Sequence, residues 1–216
     1  MNARALLSKA RIVEAAAVVA DRGGVGAVSM RSVAAELGVE AMSLYHHVAN
    51  KSALLDALAD WAFEQISAPE VDAPWRSAMV GRARSARSVL VRHPWALGMI
   101  EARPRPGTPL LRHFDQVYGC LLNSGFSPEL ATHMFSALDA YIYGFALTES
   151  TLPFAPAEGA ENSFAEDVAP SPDEYPHLAR ALEGLMSGGT YSFADEFDVG
   201  LDLLLEGFER RLAQAS

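Results

Sequence analysis

The 216-residue sequence predicts an all-α fold in two parts: a three-helix head with a helix-turn-helix over residues 1–66, and, joined to it by a linking helix, a larger helical domain over residues 67–216. Three observations carry this prediction. Apolar residues recur at i, i+3, i+4 and i+7 along most of the chain, and no segment shows the two-residue alternation of a half-buried strand. Gly23-Gly24, Gly38, the stretch Ser67 to Pro74 and the segment Arg103 to Pro109 punctuate the periodic runs where helices should stop. Half of the residues are apolar, enough to fill a core and too many for a disordered tail.

The elements follow in order. Ser8 is placed to cap a first helix that aligns Ile12, Ala15, Ala16 and Val19 on one face and stops at Gly23-Gly24. A second helix follows Ser29 and runs to Leu37, where Gly38 breaks it; a third, short one spans about Glu40 to Val48. Asn50 caps a fourth, with Leu54, Leu55, Leu58, Trp61, Ala62 and Ile66 on one side. Beyond the Ser67 to Pro74 joint, helices are expected over Trp75 to Val91, Leu110 to Asn123 and Pro128 to Thr148, with Pro94 and Arg103 to Pro109 as interruptions. From Pro153 to Glu196 the chain carries nine acidic residues, one arginine and five prolines, which reads as a loop or partly disordered insert. The last helix aligns Phe197, Leu201, Leu204, Leu205 and Phe208.

Charge is unevenly spread. Met1 to Ser52 holds six basic and four acidic residues, net +2, while the remainder carries −12 of the total −10. Screening over about 8 Å at physiological salt lets such a head approach a polyanion despite its acidic companion domain. No run of about 18 apolar residues exists to cross a bilayer, and the opening MNARALLSKA lacks a leader's apolar stretch, so a cytoplasmic protein with no membrane partner is expected. Cys120, the single cysteine, reads as a small apolar helix residue.

The decisive stretch is MRSVAAELGVEAMSLYHHVANKSALLDAL, Met30 to Leu58. Two helices cross at roughly 90 to 120° over a short turn only where small residues permit close approach and a glycine takes the turn. Ala34 and Ala35 supply the first, Gly38 the second, and Val33, Leu37, Val39 and Leu44 the small core. Glu40 is expected to cap the third helix and His47 to pack beside Val48.

Ser29-Met30-Arg31, Leu37-Gly38-Val39, Leu44 to Val48 and Asn50 to Asp56, in this order, resemble the DNA-binding head of TetR-type transcriptional regulators over about residues 8 to 66. Arg103-Pro104, Gly125-Phe126 and the terminal GLDLLLEGFERRL extend the resemblance to the tetracycline-repressor-like subgroup. It implies an all-helical homodimer that binds operator DNA and is released by a small-molecule effector. The third helix then enters a major groove about 12 Å wide, with Ala41 and Met42 facing thymine methyls and Arg31, from the second helix, facing a guanine. Tyr45 reaches base or backbone, and Ser43, His46 and Lys51 hold phosphates beside the start of the fourth helix. On the residues alone, Arg31 and Lys51 read equally as solvated charges and Tyr45 as packing.

Between Trp95 and Phe145 aromatic and methionine residues are dense, which reads as core or, given the resemblance, as an effector cavity. Its candidate residues are Arg82, Trp95, Met99, His113, Phe114, Gln116, Tyr118, Met134 and Tyr141. Where the subgroup holds a drug-bound magnesium through a histidine, Met99 stands here, and Ala102 stands for a hydroxyl residue. A thioether is a poor ligand for a hard cation, so neither metal nor cofactor is expected. His46 and His47, adjacent on a helix, diverge too far to share a metal, and no P-loop, GxSxG or HExxH segment suggests an enzyme. Two classes stay open: an effector-responsive DNA-binding repressor, and a helical small-molecule-binding or protein-docking dimer without specific DNA recognition.

Overall fold

A computed structural model describes residues 6–101, 106–153, 170–187 and 191–215, together with 161, 163 and 167. Among these residues the chain forms ten α-helices, two short 3₁₀ turns and no strand. The head comprises α1 (Lys9–Gly23), α2 (Met30–Leu37), α3 (Ala41–Leu44) and α4 (Lys51–Glu64). The remainder comprises α5 (Trp75–Arg92), α6 (Trp95–Glu101), α7 (Thr108–Asn123), α8 (Pro128–Ser150), α9 (Pro176–Ser187) and α10 (Glu196–Ala215).

Local chemistry explains most boundaries. Ser8, Ser29, Asn50 and Ser127 each accept a backbone N–H of the helix they precede, satisfying donors that the helix itself leaves open. At Ser29 the cap is reciprocal, because the Ser32 hydroxyl receives the Ser29 N–H at 2.9 Å while Ser29 Oγ receives that of Ser32 at 3.0 Å. Gly38 ends α2 in the left-handed region (φ 65°, ψ 37°).

Two elements differ from the sequence reading. α6 fills the space between Pro94 and the Arg103 to Pro109 segment, where an interruption was expected; a proline one residue before a helix starts it as readily as it ends another. The acidic stretch Pro153 to Glu196 contains α9, an amphipathic helix, and the turn Phe193–Asp195, whose Phe193 ring stacks on Phe145 at 4.6 Å. Within that stretch, residues 154–160, 162, 164–166, 168–169 and 188–190 lie outside the described residues, as do Ala102, Arg103 and Pro104.

Buried residues sort into two apolar clusters. One, Ile12 to Leu58, joins α1, α2, α3 and α4; the other, Ala62 to Leu205, joins the end of α4 to α5, α7, α8 and α10. Trp61 and Trp95 pack against both. α5 is the strut of the second cluster: Arg76 pairs with Asp202 (2.5 Å) and Glu209 (3.1 Å), and Arg84 with Asp198 (2.9 Å), fastening it to α10. Arg87 makes a two-pronged bond to Glu149 of α8, at 2.8 and 2.7 Å, with its guanidinium over the rings of Phe145 and Phe197. α7 starts hard against α4: a Cβ placed on Gly107, its N-cap, would fall 2.9 Å from the Asp60 carboxyl carbon.

Candidate functional site

The turn between α2 and α3 is closed by Val39 N–H bonding Ala34 O at 3.0 Å and Gly38 N–H bonding Ala35 O at 3.1 Å. Ala34 is buried at the crossing, whereas Ala35 faces solvent, so one small residue rather than two makes the close approach. Leu44 and Val48 are buried and fix the recognition segment to the head's core. That anchoring leaves Met42 (71% exposed) and Tyr45 (45% exposed) facing outward, three residues apart on the segment's outer side. α3 proper is one turn long, and Tyr45 to His47 continue as a tight turn, with His47 N–H bonded to Leu44 O at 2.9 Å, instead of extending the helix to Val48.

Around this segment Arg31, His46 and Lys51 are exposed, and Ala41 and Ser43 are half-buried at its base. His47 is exposed too, not packed beside Val48 as expected, because the turn Tyr45 to His47 faces outward and the chain returns to the core only at Val48. Glu40 occupies the N-cap position of α3 but its carboxylate makes no capping bond. Lys51 opens α4, whose cap is supplied by Asn50 Oδ1 accepting from Ala53 N–H at 2.9 Å; the first N–H groups of such a helix end are suited to a phosphate. Arg22 of α1 pairs with Glu36 of α2 at 2.7 Å, bracing the scaffold beneath.

In the second domain, Arg82 is 3% exposed and donates through Nε to His113 Nε2 at 2.9 Å and through Nη2 to Asp139 Oδ1 at 2.6 Å. Its third nitrogen, Nη1, is buried without a hydrogen-bond partner among the described residues. Burial, then the Arg82 charge, lowers the His113 pKa to about 4, so the ring is neutral and accepts at Nε2. Burial raises the Asp139 pKa against the opposing pull of Arg82. The guanidinium lies 5.3 Å from the centre of the Phe135 ring, which Phe114 meets edge-on at 5.1 Å and Tyr118 stacks on at 5.5 Å. Arg82, His113, Phe114 and Tyr118 are thus brought together through Asp139 and Phe135, two residues outside the candidate set.

The other effector candidates lie elsewhere on this framework. Met134 is fully buried and Gln116 half-buried. Trp95 and Met99 pack against the head's cluster. The Tyr141 hydroxyl donates to Phe197 O at 2.8 Å, holding α8 to the start of α10. Asp139 was legible as the one carboxylate inside the apolar run ALDAYIYG. An open groove of about 460 Å³ runs between α5, α8 and α10, but Arg84 and Arg87 there are already paired and it holds none of the candidates. Among the described residues no group of three or more His, Cys, Asp or Glu could hold a metal ion. With Met99 turned to the head and His113 bound to a guanidinium, the residues do not suit a magnesium-bound ligand.

Residues 12–58 match the bacterial regulatory proteins of the tetR family, and residues 68–212 match the tetracyclin repressor-like C-terminal domain. An HTH-type transcriptional regulator of Saccharopolyspora erythraea is 32% identical over 203 residues, covering 94% of this chain and 84% of its own. The class A tetracycline repressor protein from transposon 1721, of Escherichia coli, is 30% identical over 203 residues, covering 93% and 89%. The crystal structure of apo ActR from Streptomyces coelicolor superposes with a TM-score of 0.77 at 25% identity, over 99% of this chain and 100% of the other. A helix-turn-helix head on an all-helical second domain, matched in both parts and along nearly the whole length of these relatives, makes the chain a member of the tetR family of transcriptional regulators.

Proposed function

We propose that the protein is a homodimeric repressor that reads a palindromic operator through Arg31, Ala41, Met42 and Tyr45 and is released by an apolar or aromatic effector held near Arg82. The observation that carries the DNA half is the outward display of Met42 and Tyr45 on a segment pinned by buried Leu44 and Val48. Ser43, His46, Lys51 and the start of α4 flank it as phosphate contacts. The effector half rests on the aromatic assembly of Phe114, Phe135 and Tyr118 around a buried guanidinium, with Gln116 and Met134 on the same elements, and Trp95, Met99 and Tyr141 linking it to neighbouring parts. A relative that is named a tetracycline repressor supports a drug-like effector class, without the magnesium. No helix among the described residues is long and apolar enough to cross a membrane, and a protein of this kind works beside its DNA in the cytoplasm, as a binding protein and not an enzyme.

A salt-dependent gel shift on the DNA flanking its own coding region tests the reading: preference for one palindrome by about 10³-fold or more over bulk DNA is expected. Arg31→Ala should lower operator affinity by about 1 to 3 kcal/mol and relax preference at one base, whereas Lys51→Ala should weaken all sequences alike and flatten the salt slope. Equal losses on operator and random DNA for Arg31→Ala would remove it from base reading.

A further inference from the structure

Besides α4's own continuation into the second domain, the head is tied to it by a second element, α1. Asp21, near the end of α1, uses a single oxygen, Oδ1, to accept from Trp95 Nε1 at 2.6 Å and to hold His93 Nδ1 at 2.7 Å. A carboxylate oxygen only accepts, so His93 carries its proton on Nδ1. Both donors stand at the α5–α6 junction: His93 is the C-cap of α5, Trp95 opens α6, and Pro94 between them stiffens the link. Trp61 of α4 completes the assembly, meeting His93 edge-on at 5.2 Å and stacking on Trp95 at 6.4 Å.

Attached through α4 alone, the head would be free to swivel about it. Two donors from a proline-stiffened corner pin one point of α1, the Asp21 oxygen, and that point together with α4 and Trp61 sets the angle of the head. A two-fold dimer reads half-sites one helical turn apart, about 34 to 36 Å, so the angle of each head against its own second domain sets the separation of the recognition segments. We propose that Asp21, with His93 and Trp95, is the positioning clasp that fixes which half-site spacing the protein accepts. This rests on the operator-binding dimer of the preceding reading and adds to it the residues that impose spacing specificity.

The test needs no effector. The unmodified protein is used to select its operator from randomised duplex DNA, and the selected palindrome is then remade with one base pair added to or removed from its centre, and as a single half-site. One base pair displaces the second half-site by about 3.4 Å along the axis and turns it by about 34°, so the unmodified protein should lose on the order of 100-fold on either altered duplex. Asp21→Ala should lose about tenfold on the native spacing, lose less than about tenfold further on the altered ones, and bind the half-site like the unmodified protein. Trp95→Phe keeps a ring against Trp61 and removes only the Nε1 donor; it should flatten the spacing profile likewise, and it decides the matter where Asp21→Ala does not fold. Asp21→Asn, which still offers Oδ1 to Trp95, should recover much of the discrimination. An unchanged spacing ratio in Asp21→Ala or Trp95→Phe, or an equal loss on every duplex including the half-site, overturns the clasp. Failure of the unmodified protein to select any sequence overturns the operator reading instead.

Discussion

At the scale of single residues the second domain turns on one buried guanidinium. The Arg82 guanidinium is buried against the Phe135 ring and answered by Asp139 and one neutral imidazole; removing either partner strands a charge where desolvation is expensive. This gives the protein an acid-sensitive point. The unfolded His113 ring takes up a proton near its ordinary 6.5, the folded one only at about 4. The unfolded state therefore binds more protons between those values, and stability falls as pH drops from about 6.5 to about 4, by up to about 3 kcal/mol. Asp139, whose pKa is raised by burial, acts with the opposite sign and offsets part of the loss at the acid end. His113→Gln keeps an acceptor for Arg82 Nε and removes the titration, so its melting temperature should decline less over that interval than that of the unmodified protein, as followed by circular dichroism. Arg82 and His113 are visible in the sequence only as polar residues of helices that also carry an apolar face. That they meet across 31 positions, with Asp139 another 26 further on, is decided by how α5, α7 and α8 pack, which no local pattern encodes.

At the scale of elements, helix starts were legible because caps are local: Ser8, Ser29 and Asn50 act within four residues of themselves. α6 and α9 were not, since a helix between prolines and one in an acidic stretch form by packing and amphipathicity against composition. The outer face of α10 shows the same division. Periodicity aligns Leu204 with Phe197, Leu201, Leu205 and Phe208, and Leu204 is half-buried in the chain, while Leu203 (65% exposed) and Val199 (56% exposed) stand outward one turn apart. Gly200 lies against the Tyr141 ring of its own chain, whereas a Cβ on Gly207 would meet open space. A dimer seam on the outer face of α10 therefore places the residue to charge at Leu203. Leu203→Arg should give a folded monomer in sedimentation at micromolar concentration and lose palindrome binding while keeping weak half-site binding. A dimer that persists in that variant would move the interface away from α10.

At the scale of the whole molecule, two apolar clusters share α4 and the corner formed by Trp61, His93 and Trp95. An effector that favours one placement of the second domain over another must act on the heads through these few joints, and a hundredfold loss of DNA affinity requires about 2.7 kcal/mol of coupling. At one of the joints, where α7 approaches α4, a Cβ on Gly107 would meet the carboxylate end of the Asp60 side chain. For Gly107→Ala that carboxylate need only turn aside, so operator binding should change little in a gel shift, whereas the branched side chain of Gly107→Val should press on α4 and weaken it. The double variant Asp60→Ala, Gly107→Val, which removes the obstacle, should regain most of the loss, and a double variant as impaired as Gly107→Val alone would place the defect elsewhere. The same steric fact has a genetic form. Every missense change of a glycine codon brings in a Cβ, so a selection for constitutive expression should return codon 107 with side chains too bulky for the Asp60 carboxylate to clear, and seldom with alanine.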